Sequence, residues 1–202
     1  MFTIVEAAGW PIWFLIIASV IAVALIAERL MFLRNKTIAP ANLLNEIVQE
    51  LKQKGVSEQM LARLEANSPL GRIFAAGLKN VKSTPAVMKE AIEETGRAVT
   101  HELEHFLTTL GTIASISPLL GLFGTVVGMI EIFSAQNGVG NSPAVLAHGI
   151  STALYNTAFG LMVAVPSMIF YRHFRAKVDS LIVEMEQQAI KLVEIVHGER
   201  RN

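Results

Sequence analysis

Three stretches of this chain contain no Asp, Glu, Lys or Arg, and each is long enough to cross a bilayer: Ala7–Ala27, Phe106–Ile130 and Gly149–Tyr171. A helix rises 1.5 Å per residue, so roughly 20 apolar residues span the hydrocarbon layer. No water is available there to satisfy backbone amides, and a helix satisfies them within the segment itself. The chain therefore reads as an all-α integral membrane protein with three transmembrane helices. Its 52% hydrophobic content and mean hydropathy of +0.46 exceed what a soluble surface usually tolerates. A soluble fold would need further helices to cover all three windows, and the rest of the chain is mostly amphipathic.

Orientation follows from where the bases lie, because cytoplasmic loops retain Lys and Arg. Arg29, Arg34 and Lys36 follow the first span, and Arg172, Arg175 and Lys177 follow the third. Residues 1–28 and the loop 132–148 hold no Lys or Arg. These observations predict an outer N-terminus, an outer loop between spans two and three, and a cytoplasmic C-terminus. Residues Met1–Glu6 carry an acid and no base, unlike the positive start of a signal peptide, so the first span is read as a retained anchor. The absence of cysteine means no disulfides.

The predicted organisation is a periplasmic N-terminus with span one over residues 1–34, a cytoplasmic helical insertion over 35–105, and span two over 106–133. A periplasmic loop over 134–147, span three over 148–172 and an amphipathic cytoplasmic tail helix over 173–202 follow. The insertion is punctuated at Pro40, Gly55, Ser68-Pro69 and Thr84-Pro85. Its nine bases balance nine acids, which argues against nucleic-acid binding. Its last helix starts at Ser83 or Thr84 as N-cap, with Pro85 in an early position. Met88, Ile92, Val99, Leu103, Phe106 and Leu110 then recur at helical spacing, which predicts a helix running unbroken into span two. Phe174, Val178, Leu181, Ile182, Met185, Ala189, Leu192, Val193 and Val196 form a second stripe. Helices two and three are thus expected to extend into the cytoplasm and to pack against their neighbours there.

Within span two, Gly121, Gly124 and Gly128 share one side of the helix, where another backbone can approach closely, and Thr125 lies beside them. Span three has a wider face of the same kind, with Gly149, Thr152, Ala153, Asn156, Thr157, Gly160 and Ala164 within about 140° of arc. An Asn in mid-membrane is costly unless it finds a partner or water, so Asn156 is expected to face the protein interior or a hydrated path. Glu131 is the one acid near the membrane interior, at the outer end of span two. Repeated around an oligomer, it would form an acidic ring that draws cations; alone, it would simply reach to water. No carboxylate lies in the middle of any span, so proton transfer through the membrane would need an acid supplied by another chain.

One motif points to a different chemistry. His101-Glu102-Leu103-Glu104-His105 fits H-E-x-x-H, which on a helix can place two zinc ligands and a general base on one face. A catalytic zinc also needs a third ligand in a sheltered cleft, and the sequence shows none. The motif lies on the wet side of its helix, among Glu93, Glu94, Glu102 and Glu104. No metal and no cofactor is therefore expected. A purely structural membrane scaffold is a further alternative.

The run Pro118 to Met129, followed after a short loop by Gly149 to Pro166, resembles the MotA/TolQ/ExbB proton-channel family, with ExbB-like size and topology. The resemblance implies a non-enzymatic subunit of a bacterial inner-membrane ion-driven motor. Such subunits form a homo-oligomer, a pentamer, whose second and third spans enclose a pore. ExbD- or TolR-like single-span subunits sit inside it, and their membrane aspartate carries the ion. A TonB-like protein is a further partner in some of these systems. By motif position, Thr125 and Thr157 match the threonines that line the family's pore. Where ExbB and TolQ carry a glutamate in span three, this chain has Thr152, a departure shared with MotA-like relatives. That leaves proton and sodium as alternative driving ions, since the oxygens of Thr152, Asn156 and Thr157 could coordinate sodium.

Overall fold

A computed structural model of the chain describes residues 9–135 and 143–198, with no side-chain description for 135, 144, 145 and 148. The outer ends of the predicted N-terminus (1–8) and loop (136–142), and the last residues of the tail (199–202), lie outside the described residues. All regular structure among the described residues is helical: α1 (Ile12–Phe32), α2 (Asn35–Ile38), α3 (Leu43–Lys54), α4 (Glu58–Asn67), α5 (Pro69–Lys79), α6 (Pro85–Glu104), α7 (Leu107–Ala135) and α8 (Pro143–Val196). Three helical stretches are long and apolar enough to cross a membrane: Ile12–Phe32, Pro85–Ser134 and Gly149–Val196. The chain divides into two compact units. One holds the chain up to Arg29 together with Phe106–His173; the other holds Leu30–His105 and the chain from Phe174 onward.

In the second unit, helix starts follow the punctuation of the sequence. Ser57, Ser68 and Thr84 each accept a hydrogen bond from the backbone N–H three residues on, and Pro69 and Pro85 open the helices behind the latter two. Thr84, rather than Ser83, is thus the cap of α6. The core of this unit forms around α5, whose Leu70, Ile73, Phe74 and Leu78 are buried with Met88, Val99 and Leu103 of α6. Gly71 permits the α4–α5 turn, because an added Cβ would lie 2.2 Å from the Leu64 carbonyl oxygen. The tail stripe of α8 is buried as its spacing predicts, at Phe174, Val178, Leu181, Met185, Ala189, Leu192 and Val193. Arg175 pairs with Glu104 at 2.9 Å on the surface of the same unit.

The predicted unbroken helix from the insertion into span two is corrected. α6 ends at Glu104 and α7 begins at Leu107. His105 keeps a helical backbone (φ −49°, ψ −45°), but its N–H bonds to the Glu102 carbonyl, three residues back, and the regular ladder lapses. In the first unit, the Arg29 guanidinium stands 4.8 Å from the centroid of the Phe106 ring just past this interruption. Arg29 is almost fully buried and pairs with Glu28 at 2.9 Å. Span three and the tail, by contrast, are one continuous helix of 54 residues.

Candidate functional site

The chemistry-bearing residues of the spans collect where α7 and α8 meet, and the sequence explains why these helices come so close. In lipid, apolar side chains gain nothing by leaving their surroundings, so helices associate through close van der Waals contact and interhelical hydrogen bonds. Small residues make this possible. A Cβ on Gly121 would lie 2.7 Å from the Asn156 carbonyl oxygen and 3.0 Å from the Thr157 Cα. On Gly160 it would lie 2.6 Å from the Ser117 carbonyl oxygen and 3.0 Å from the Gly121 Cα. Gly124 faces the Asn156 side chain, Gly128 faces Ala153, and Gly149 faces Ile132. The strip on span two and the small face on span three are therefore two sides of one seam within the chain.

Two hydroxyls occupy one edge of this seam. The Oγ1 atoms of Thr125 and Thr157 are 2.6 Å apart, a short hydrogen bond in which either can donate. Thr125 Oγ1 also lies 3.2 Å from both the Gly121 and Ala153 carbonyl oxygens, so it can donate along its own helix, across to α8, or to Thr157. Both threonines are half-buried. A reversible hydroxyl pair of this kind can pass a proton by reorientation or offer two oxygens to a cation, provided the pair opens.

The other candidates sit elsewhere. Asn156 has no exposed surface and lies against Gly124 inside the seam, behind the threonine pair. Thr152 donates to the Gly149 carbonyl of its own helix at 2.8 Å. Glu131 is exposed. Of the predicted pathway residues, the structure thus brings Thr125, Asn156 and Thr157 together, and leaves Thr152 and Glu131 apart from them. Two buried hydroxyls were not singled out from the sequence: Ser117 and Ser167 donate to the Ile113 and Val163 carbonyls of their own helices, each at 2.7 Å. Such back-bonding is common for serine in membrane helices and bends them.

The zinc motif does not assemble. Glu102, the would-be base, forms an ion pair with Arg72. Among the described residues, no group of three His, Cys, Asp or Glu side chains is placed to hold a metal. His101 lines a groove of about 740 Å³ together with Ile92, Met185 and Ala189, and Glu104, which also lines it, is paired with Arg175.

Comparison with known proteins bears on this geometry. Residues 65–187 match the MotA/TolQ/ExbB proton channel family. An ExbB-like biopolymer transport protein of Synechocystis sp. is 33% identical over 162 residues, covering 78% of this chain and 77% of the relative. TolQ of the Tol-Pal system of Pseudomonas aeruginosa is 30% identical over 200 residues, covering 91% and 87%. The biopolymer transport protein exbB1 of Vibrio cholerae is 32% identical over 165 residues, covering 79% and 72%. The match takes in α7, the glycine seam and all of span three, and on that ground the chain belongs to the MotA/TolQ/ExbB proton channel family.

Proposed function

We propose that this chain is the pore-forming subunit of an ion-driven motor in a bacterial inner membrane, coupling the proton-motive force to transport or mechanical work. The observation that carries this reading is the Thr125–Thr157 hydroxyl pair on a glycine-lined helix hairpin with no acid in the middle of either span. An ion path that offers hydroxyls but no carboxylate at mid-membrane depth needs a carrier from outside the chain. An ExbD- or TolR-like single-span subunit, enclosed by a ring of five copies, supplies that acid. The names of the relatives, which speak of biopolymer transport and of the Tol-Pal system, support this class of work. The distribution of Lys and Arg supports an outer N-terminus and loop and a cytoplasmic insertion and tail.

Thr125 and Thr157 form the polar edge along which the partner's acid loads or unloads its ion, and Asn156 holds the seam behind them. The seam keeps this edge in place, since its glycines leave no side chain that could re-pack. The test is reconstitution of the chain with a single-span partner in vesicles, with flux measured under a proton gradient and, separately, a sodium gradient. Flux driven by the proton gradient and dependent on the partner's membrane acid is the expected result. Equal flux without the partner overturns the reading. Flux that follows sodium instead identifies a sodium-driven member of the same architecture, for which Thr152 in place of the family's glutamate is the sequence argument.

A further inference from the structure

The groove that His101 lines belongs wholly to the second unit, bounded by Ile73 of α5, one side of α6 and the α8 tail. On α6 it runs from Lys89 to Glu104, a rise of about 22 Å, and on α8 from Ile182 to Val193, about 16 Å. A trough of that length suits a helix of three to four turns. Gly96 on its α6 wall has no counterpart in the unit's own packing. A Cβ there would meet nothing within 4 Å, whereas one on Gly77 of α5 would lie 2.8 Å from the Ile92 Cδ1. Gly77 is small because Ile92 packs on it. Gly96 weakens its helix with no such return, and a glycine with open space above it admits another backbone at close range.

The rim carries charges of both signs. Lys89, Glu93 and Arg97 follow one another a turn apart on α6, and Glu186 stands on α8. Among the described residues none of these four forms an ion pair, while Arg63, Arg72, Lys79 and Arg175 of the same unit each do. The apolar lining comes from Ile92, Ile182, Met185 and Ala189. An apolar trough edged by both charges is what an amphipathic helix recognises, with its apolar anchors laid between charged flanks. A small ion of either sign would meet as much repulsion as attraction on this rim. A second copy has no such helix to spare. In this unit the exposed large apolar side chains among the described residues are Leu30, Met31, Val87, Val183 and Ile190, and Ile190 already lines the groove. The others do not make a helical stripe that could fill it.

We propose that the groove holds an amphipathic helix of three to four turns from the cytoplasmic end of the single-span partner. Its apolar face lies on Ile92, Ile182, Met185 and Ala189, and its flanking charges are opposite in sign to Lys89, Glu93, Arg97 and Glu186. The inference rests on the partner-dependent reading above, since a single-span chain has one end on the cytoplasmic side. α8 carries Thr157 and one wall of the groove on a single helix, so a partner engaged at both is held at two points. The second contact then gains from the effective concentration set by the first.

The chain has no cysteine, so Ile190→Cys in the full chain takes a single environment-sensitive fluorophore. The labelled chain is reconstituted alone, with the intact single-span partner, and with a partner shortened at its cytoplasmic end that keeps its span and membrane acid. The expected result is a blue-shifted, water-shielded label with the intact partner only, while both partners co-purify with the chain. Gly96→Leu should keep the hydrogen-exchange protection of α6 and lower the affinity for a synthetic peptide of the cytoplasmic segment at least tenfold. Arg97→Glu should also weaken that peptide, and reversing the peptide's facing acid to Lys should restore it. A label equally shielded by the shortened partner, or unshifted by the intact one while both co-purify, overturns the assignment and leaves the ion-motor reading standing. Unchanged peptide affinity in Gly96→Leu also overturns it, as does shielding that appears in the chain alone and grows with assembly, which identifies a second copy as the occupant. Partners that fail to co-purify overturn both readings.

Discussion

The two units solve helix packing in opposite ways. In the unit containing the spans, α7 and α8 meet through what is missing: Gly121 and Gly160 bring backbone against backbone, and Gly124 admits the Asn156 side chain. In the other unit, α5 and the α8 tail are buried through large side chains, Phe74, Leu78 and Phe174 among them. The difference follows from the solvent. Water rewards removal of apolar area, at roughly 25 cal/mol per Å², while lipid does not distinguish a leucine on a neighbouring helix from an acyl chain. Close approach and hydrogen bonding are what remain in lipid, and both favour small and hydroxyl-bearing residues. The residues that hold the hairpin together are therefore also those that give it a polar edge, and structure and proposed function share one set of side chains.

Substitutions can break or sharpen this contrast. The largest effect is expected at Phe74, fully buried in the core around α5. Phe74→Ala should cost about 3–5 kcal/mol, visible as loss of hydrogen-exchange protection confined to α4, α5 and α6 while α7 keeps its protection. Next comes Gly160→Leu, where the new Cβ starts 2.6 Å from a backbone oxygen that cannot move aside. A penalty of about 1–3 kcal/mol should appear as hairpin loosening and lost assembly in membranes, with α5 protection unchanged. Smaller again is the coupling between Thr125 and Thr157. A double-mutant cycle to Val should return about 0.6 kcal/mol, and a value near zero would show that the 2.6 Å contact does not bind the helices. The smallest change has the opposite sign. A Cβ on Gly96, inside α6, would meet nothing within 4 Å, so Gly96→Ala should stabilise its unit by about 0.5–1 kcal/mol.

The spans were legible because charge-free windows of that length have few other uses, and the glycine seam because spacing alone puts Gly121, Gly124 and Gly128 on one side. The breaks at Ser68-Pro69 and Thr84-Pro85 were equally plain, since Ser-Pro and Thr-Pro pairs punctuate helices, while the choice between Ser83 and Thr84 as the cap of α6 came only from the Thr84 side-chain bond to the Val87 N–H. The lapse at His105–Phe106 was not legible. The apolar stripe continues through it, and the Arg29 contact comes from a helix some 77 positions away in the chain. Arg29 itself read only as an orientation marker. The division of the polar residues was hidden for a different reason: Thr152 and Thr157 fall within one arc, but at its two ends, and only the partner helix determines which end is which. The Thr125–Thr157 bond depends on rotation and depth of two helices, which a single wheel cannot supply.

One measurement bears most directly on the claim that the Thr125–Thr157 hydroxyls belong to the ion path. Thr157→Ser and Thr157→Val are reconstituted with a single-span partner at matched levels of assembled complex, and gradient-driven flux is compared. Serine keeps the hydroxyl, and flux should stay within a few-fold of the unsubstituted chain. Valine keeps the shape and loses the oxygen, and flux should fall at least tenfold, about 1.4 kcal/mol in the barrier. Equal flux from the two variants would contradict the account.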